Sequence, residues 1–139
     1  MSWVIDASVA VKWYVPEELH EEAYSLLGGA TPLVAPDWII QEVSHALFRK
    51  WRNDEIAMDQ ARAIIALLLS SLAELYCSTT LTERALEIAF ELNHPVHDCL
   101  YLACAEISEA PVITADKRFY RAASDGGFAR HIALLKPRR

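Results

Sequence analysis

Trp3-Val4-Ile5-Asp6-Ala7-Ser8-Val9-Ala10 is the stretch on which the fold turns. Three apolar residues end on an acid, and small and apolar residues follow. Trp3-Val4-Ile5 reads as a short strand buried on both faces, and Ala7 to Tyr14 as a short helical turn interrupted by Pro16. An ionised carboxylate at the end of a buried strand is costly unless it is paired or bound to a cation. Asp6 therefore has two readings from its position alone: a cap on the following turn, or a cation ligand.

Outward from this stretch the pattern recurs. Leu33 to Ala35, Glu74 to Cys77, Pro111 to Thr114 and Ile132 to Leu135 read as further short strands. Helices are expected between them. One runs from Glu17 to Leu27 and stops at Gly28-Gly29. The next runs from Trp38 to about Arg52, with Asp37 as its N-cap. Another starts near Asp59 and passes through Leu72. Thr80-Leu81-Thr82-Glu83 has the capping-box pattern for a helix reaching about Asn93, which His94-Pro95 breaks. Val96 to Glu109 and Lys117 to Ser124 follow, with Gly126-Gly127 as a turn. Strands alternating with helices predict an α/β protein with a parallel sheet covered on both faces. Its ligand crevice lies beyond the carboxyl ends of the strands, where Asp6 and Asp116 fall.

The 139 residues suit one domain, with no linker or repeat and a short basic tail at 136–139. At 53% hydrophobic and 23% charged, the chain can bury a core without a structural metal. A net charge of −6 argues against a protein whose affinity rests on phosphate contacts. It leaves room for a nuclease with a metal and a small basic patch. Cys77, Cys99 and Cys104 show no zinc spacing and read as buried apolar filler. The apolar run Ile64 to Leu69 is far short of a membrane span, and no basic-then-apolar leader opens the chain, so a cytoplasmic location is expected.

Glu42 shares a helical face with Trp38, His45 and Arg49 beside the stripe Ile39, Val43, Ala46, Leu47. Asp98 lies in the first turn of its helix, where the dipole favours an acid. Singly, an exposed Glu42 and a stabilising Asp98 are the ordinary readings, and Asp116 could cap a helix.

Read together the segments say more. Val4-Ile5-Asp6-Ala7-Ser8-Val9-Ala10, Ala35-Pro36-Asp37 leading to Glu42-Val43-Ser44-His45-Ala46-Leu47, His97-Asp98-Cys99-Leu100-Tyr101-Leu102-Ala103, and Ile113-Thr114-Ala115-Asp116-Lys117-Arg118-Phe119 occur in this order. The series resembles the PIN-domain family, and most closely the VapC toxins of toxin–antitoxin pairs, from about Trp3 to Leu135. The resemblance implies a three-layer α/β/α sandwich around a mainly parallel sheet of four to five strands. It implies that Asp6, Glu42, Asp98 and Asp116 bind Mg²⁺ or Mn²⁺ and support endonucleolytic cleavage of RNA. Ser8 and Thr114 match small hydroxyl residues that support the acids. A homodimer and a cognate VapB-like antitoxin are the implied partners. His97 and Cys99 depart from the common pattern, at positions that remove no ligand.

Two basic clusters could draw RNA to an acidic protein: Arg49 and Lys50 with Arg52, and Lys117, Arg118 and Arg121 directly after Asp116. A catalytic role for His45, His94 or His97 is not expected. Trp13, Tyr14, Trp38 and Trp51, with the leucine-rich helix, offer apolar surface beyond one small core. A Mg²⁺-dependent phosphatase is a rival reading, but a strand-end Asp-x-Asp is its mark and position 8 is Ser. The other rival is a PIN-like binding module, which the presence of all four acids does not favour.

Overall fold

The computed structural model describes residues 1–138. The central strand β1 (Trp3–Ile5) is flanked by β2 (Leu33–Pro36) and β4 (Val112–Thr114). β3 (Glu74–Tyr76) and β5 (Ile132–Leu134) form the edges, giving five parallel strands in the order β3-β2-β1-β4-β5. Val4 lies opposite both Val34 and Val112, and Val4 and Ile5 are wholly buried. Parallel strands need long crossovers, which the helices supply.

The helices are α1 (Ala7–Tyr14), α2 (His20–Tyr24), α3 (Ile39–Arg52), α4 (Met58–Ser71), α5 (Ser78–Leu92), α6 (Val96–Ser108) and α7 (Lys117–Ala123). α6 lies across β2, β1 and β4 with α5 behind it. It carries a continuous buried run from Cys99 to Ala105, as a helix against a sheet must. α1 packs on β4 and on α3, which in turn packs on α4. This is the α/β sandwich expected from the alternation of elements. Chain order steps one way from β1 to β3 and the other way from β4 to β5. The reversal falls between β1 and β4, and a crevice opens there at the strands' carboxyl ends.

Four local expectations are corrected. The helix expected over Glu17 to Leu27 is only the five residues of α2, because Leu19 takes a left-handed conformation (φ 64°) that ends any helix entering from Glu17. Asp37 does not cap α3, which starts at Ile39 with Trp38 as its N-cap residue. Instead Asp37 Oδ1 accepts the Ser78 backbone N–H at 3.1 Å while Ser78 Oγ accepts the Trp38 N–H at 2.9 Å. This reciprocal pair ties the starts of α3 and α5 together. α5 accordingly begins at Ser78, and Thr80 sits within it, donating to the Cys77 carbonyl rather than opening a capping box. Cys99 and Cys104 are buried, but Cys77, at the start of α5, is exposed.

The apolar surplus divides sharply. Trp13 is 1% exposed and belongs to the core, its indole N–H donating to the Ala23 carbonyl at 2.9 Å. In α4, Leu68 is wholly buried while Leu67 and Leu69 are about half exposed. Phe48 and Trp51 of α3 are also exposed, and with Met58 and Ile65 they line a shallow apolar groove of about 350 Å³ between α3 and α4. Of the basic tail, Arg138 donates its backbone N–H to Glu22 and Arg139 lies outside the described residues.

Candidate active site

Asp6 immediately follows β1, and its backbone still belongs to the sheet through a 3.1 Å bond to the Ile113 carbonyl. Its carbonyl accepts from Val9 and Ala10, so the backbone starts α1, but its carboxylate makes no capping bond. The capping reading of the side chain therefore fails. Oδ2 accepts instead from Ser8 Oγ and from Thr114 Oγ1, both at 2.6 Å. Each hydroxyl has one proton and spends it on Asp6, so the 3.3 Å approach of the two hydroxyls is not itself a hydrogen bond. Their lone pairs accept the backbone N–H groups of Ala115 (3.0 Å) and Asp116 (3.1 Å). The loop after β4 is thus pinned to the acid after β1.

Asp116 follows β4 and caps α7, Oδ1 accepting from Arg118 N at 2.9 Å and Phe119 N at 3.2 Å. Both bonds fall on one oxygen, so capping and a second role for this carboxylate are compatible. Glu42 stands in the first turn of α3 and Asp98 in the first turn of α6. All four acids line one crevice of about 510 Å³.

The electrostatics of this crevice are those of anions held together. Burial, with the negative charges of Asp98 and Asp116, pushes the Asp6 carboxyl up to about 6 against the opposing pull of Ser8 and Thr114. Burial, then the charges of Asp6 and Asp98, push Glu42 up to about 8. Glu42 Oε1 is buried without a hydrogen-bond partner. So is the hydroxyl of Tyr101, which lies close enough to Glu42 to influence its titration but makes no well-formed bond. Such orphaned groups are rare in native proteins. Carboxylates sharing one crevice, one of them with an unsatisfied oxygen, offer the oxygen ligands that a hard divalent cation takes.

Two histidines that sequence reasoning set aside lie at this site. His94 Nε2 is 2.7 Å from Asp98 Oδ2, and the ring stacks on Phe119 with centroids 5.5 Å apart. The His94–Asp98 spacing of four residues, across the start of a helix, was the available signal. His97 Nε2 lies 3.7 Å from Asp98 Oδ1, and ligand atoms of Glu42, His97 and Asp98 fall within 4.8 Å of one another.

The basic residues separate. Arg49 and Lys50 line the crevice, joined by Lys12, which the sequence did not single out. Glu17 bridges the two lysines, at 3.3 Å from Lys12 and 3.0 Å from Lys50. Burial works against its charge, but the lysines outweigh it and hold the Glu17 carboxyl below its ordinary value. Lys117, Arg118 and Arg121 are exposed on α7, and none of them lines the crevice.

Known proteins share this architecture. The chain is 36% identical to Ribonuclease VapC1 of Mycobacterium tuberculosis over 86 residues, 60% of this chain and 62% of that one. It thus spans less than two thirds of that relative's length. It is 29% identical to Ribonuclease VapC3 of Pyrobaculum aerophilum over 126 residues, covering 85% of this chain and 92% of the relative. Among solved structures, M. tuberculosis VapC20, titled a sarcin-ricin loop cleaving toxin, superposes with a TM-score of 0.71 at 18% identity, covering 87% of this chain and 95% of that chain. P. aerophilum PAE2754 does so with a TM-score of 0.68 at 20% identity, covering 88% and 79%. The sequence matches the PIN domain over residues 3–125, nearly the whole chain, and this protein belongs to the PIN-domain family.

Proposed function

We propose that this chain is a divalent-metal-dependent endoribonuclease and the toxin of a toxin–antitoxin pair, as the names of its VapC relatives suggest. The observation that carries the reading is the convergence of Asp6, Glu42, Asp98 and Asp116 on one crevice at the switch point of a parallel sheet, with a buried Glu42 oxygen unpartnered. Asp6, Asp98 and Asp116 would hold Mg²⁺ or Mn²⁺ directly or through water, and Glu42 would be a further ligand or orient the attacking water. When bound, such an ion lowers the pKa of a water and stabilises charge developing on phosphate.

The chain's own groups do the positioning. Ser8 and Thr114 fix Asp6 through its Oδ2. Arg49 and Lys50 offer phosphate contacts at the crevice wall, and Lys117, Arg118 and Arg121 extend the basic surface beyond Asp116. The exposed apolar surface of α3 and α4 suits a second copy of the chain and a VapB-like antitoxin. No helix among the described residues is long and apolar enough to cross a membrane.

The test is RNA cleavage by the purified protein with Mg²⁺ or Mn²⁺, with EDTA, and with Asp98→Asn. Cleavage that EDTA and the substitution both abolish is expected. Undiminished cleavage in Asp98→Asn, with folding unchanged by circular dichroism, would overturn the four-acid site. Turnover of a phosphomonoester without RNA cleavage would favour a phosphatase.

A further inference from the structure

The crevice has two chemically different ends. At one end lie the acids; at the other, Lys12 from α1 and Lys50 from α3 face each other across Glu17. Both lysines are largely enclosed, with side chains only 13% and 17% exposed. Enclosed ammonium groups are costly unless anions meet them. Glu17 meets both with one carboxylate, and Glu55 reaches Lys50 only at 3.9 Å. Arg49 also lines this part of the crevice without an ion pair to either carboxylate, so the wall carries three cations against two carboxylates and keeps one positive charge in excess.

Glu17 is also built differently from the lysines. Lys12 and Lys50 project from helices, but Glu17 lies in the connection between α1 and α2, after Pro16 and before the left-handed Leu19. The anion sits on a connection and the cations on rigid supports. That division suits an anion that is exchanged rather than fixed.

We infer that Lys12 and Lys50 form a subsite for a backbone phosphate of the RNA strand, and that the Glu17 carboxylate holds this subsite until the phosphate displaces it. The inference rests on the ribonuclease reading and adds a binding position to it. The acids and the lysines then divide the work along one strand, with a neighbouring phosphate anchored at the basic end. Glu17 also sets a threshold, because an RNA must outcompete an intramolecular carboxylate before it enters.

The test is fluorescence anisotropy of labelled oligouridylate with Ca²⁺ in place of Mg²⁺, since Ca²⁺ takes the same oxygen ligands. Glu17→Gln keeps the shape and removes the competing charge, and should tighten binding roughly three- to tenfold. Lys12→Gln and Lys50→Gln should each weaken it by a similar factor and make the dependence of log affinity on log salt shallower by about 0.7. Lys50→Arg keeps the charge and should retain binding. If Glu17 is only a structural bridge, Glu17→Gln will lower the melting temperature and leave RNA affinity where it was. That result, or lysine variants that bind as well as the parent, overturns the subsite. EDTA-sensitive cleavage accompanied by that result would leave the nuclease reading standing, so the two claims fail separately.

Discussion

His94 Nε2 meets Asp98 Oδ2 at 2.7 Å, with the imidazole stacked almost parallel, at 14°, on the ring of Phe119. The histidine stands in the break between α5 and α6, and its side chain is 8% exposed. Stacking fixes the ring plane, and the fixed ring fixes one oxygen of an acid at the mouth of the crevice. Loss of a group that orients a metal ligand typically costs about 10- to 100-fold in metal affinity. His94→Ala should therefore weaken Mn²⁺ binding about 10- to 100-fold, measured by titration calorimetry. His94→Gln, which can still donate to Asp98, should recover part of the loss. Unchanged Mn²⁺ affinity in His94→Ala would show that Asp98 needs no such support.

Ser8 and Thr114 make a second positioning pair. Thr114→Val preserves volume but leaves the Asp116 backbone N–H without its acceptor and removes one donor to Asp6. An unsatisfied buried donor costs about 1–3 kcal/mol, and a loss of that size is expected in urea denaturation. Ser8→Ala removes the matching contacts to Asp6 and to Ala115 N, and should cost about the same. The double variant should lose less than the sum of the two, because both hydroxyls serve one carboxylate.

The metal-free protein should lose stability as pH rises. Asp6 and Glu42 bind protons more tightly when folded, with values up to about 6 and about 8 against ordinary values of 3.8 and 4.5. Above pH 4.5 the unfolded chain has released protons that the native chain retains, so unfolding releases protons and is favoured by raising pH. The stability these groups allow is present below pH 4 and is lost progressively up to about pH 8. Melting temperature in EDTA should fall across that window, and Glu42→Gln should flatten the fall and raise the value at pH 8 by roughly 3–6 °C. Added Mg²⁺ should stabilise the parent protein most at the high end of the range, where it displaces the fewest protons. A metal-free melting temperature that rises from pH 5 to 8 would contradict the buried-carboxylate account.

Adjacent leucines in α4 should behave oppositely. Leu68 is wholly buried, and Leu68→Ala should cost about 2–5 kcal/mol. Leu67 is 51% exposed, and Leu67→Ala should change the monomer's stability by no more than about 0.5 kcal/mol. If α4 lies in a dimer interface, Leu67→Ala will weaken the dimer and make the melting temperature less dependent on protein concentration than the parent's, which calorimetry at two concentrations reads directly.

Much of this was legible from residue order alone. Trp3-Val4-Ile5 and Pro111-Val112-Ile113-Thr114 read as short buried strands, because short, largely apolar runs suit strands covered on both faces. Alternation with helices then required a parallel sheet, and strand-end placement marked Asp6 and Asp116. Local signals failed where a distant partner competed. Asp37 has the composition of a helix cap, yet it serves Ser78, forty-one residues on. Leu19 offers no sequence cue for its left-handed turn, so the short α2 could not be foreseen. Trp13 and Trp51 look alike in sequence, but one fills the core and the other lies on the surface.

What the chain's order determined by itself was the layering and the two acids at strand ends, since hydrophobic period and chain direction are local properties. What only the tertiary structure decided was how those acids are used. It set Oδ2 of Asp6 between two hydroxyls 106 residues apart, left a Glu42 oxygen unpartnered, and brought Lys12 and Lys50 to one carboxylate. Hydrogen bonds and enclosed charges depend on distances of a few ångströms between residues remote in sequence, and packing sets those distances.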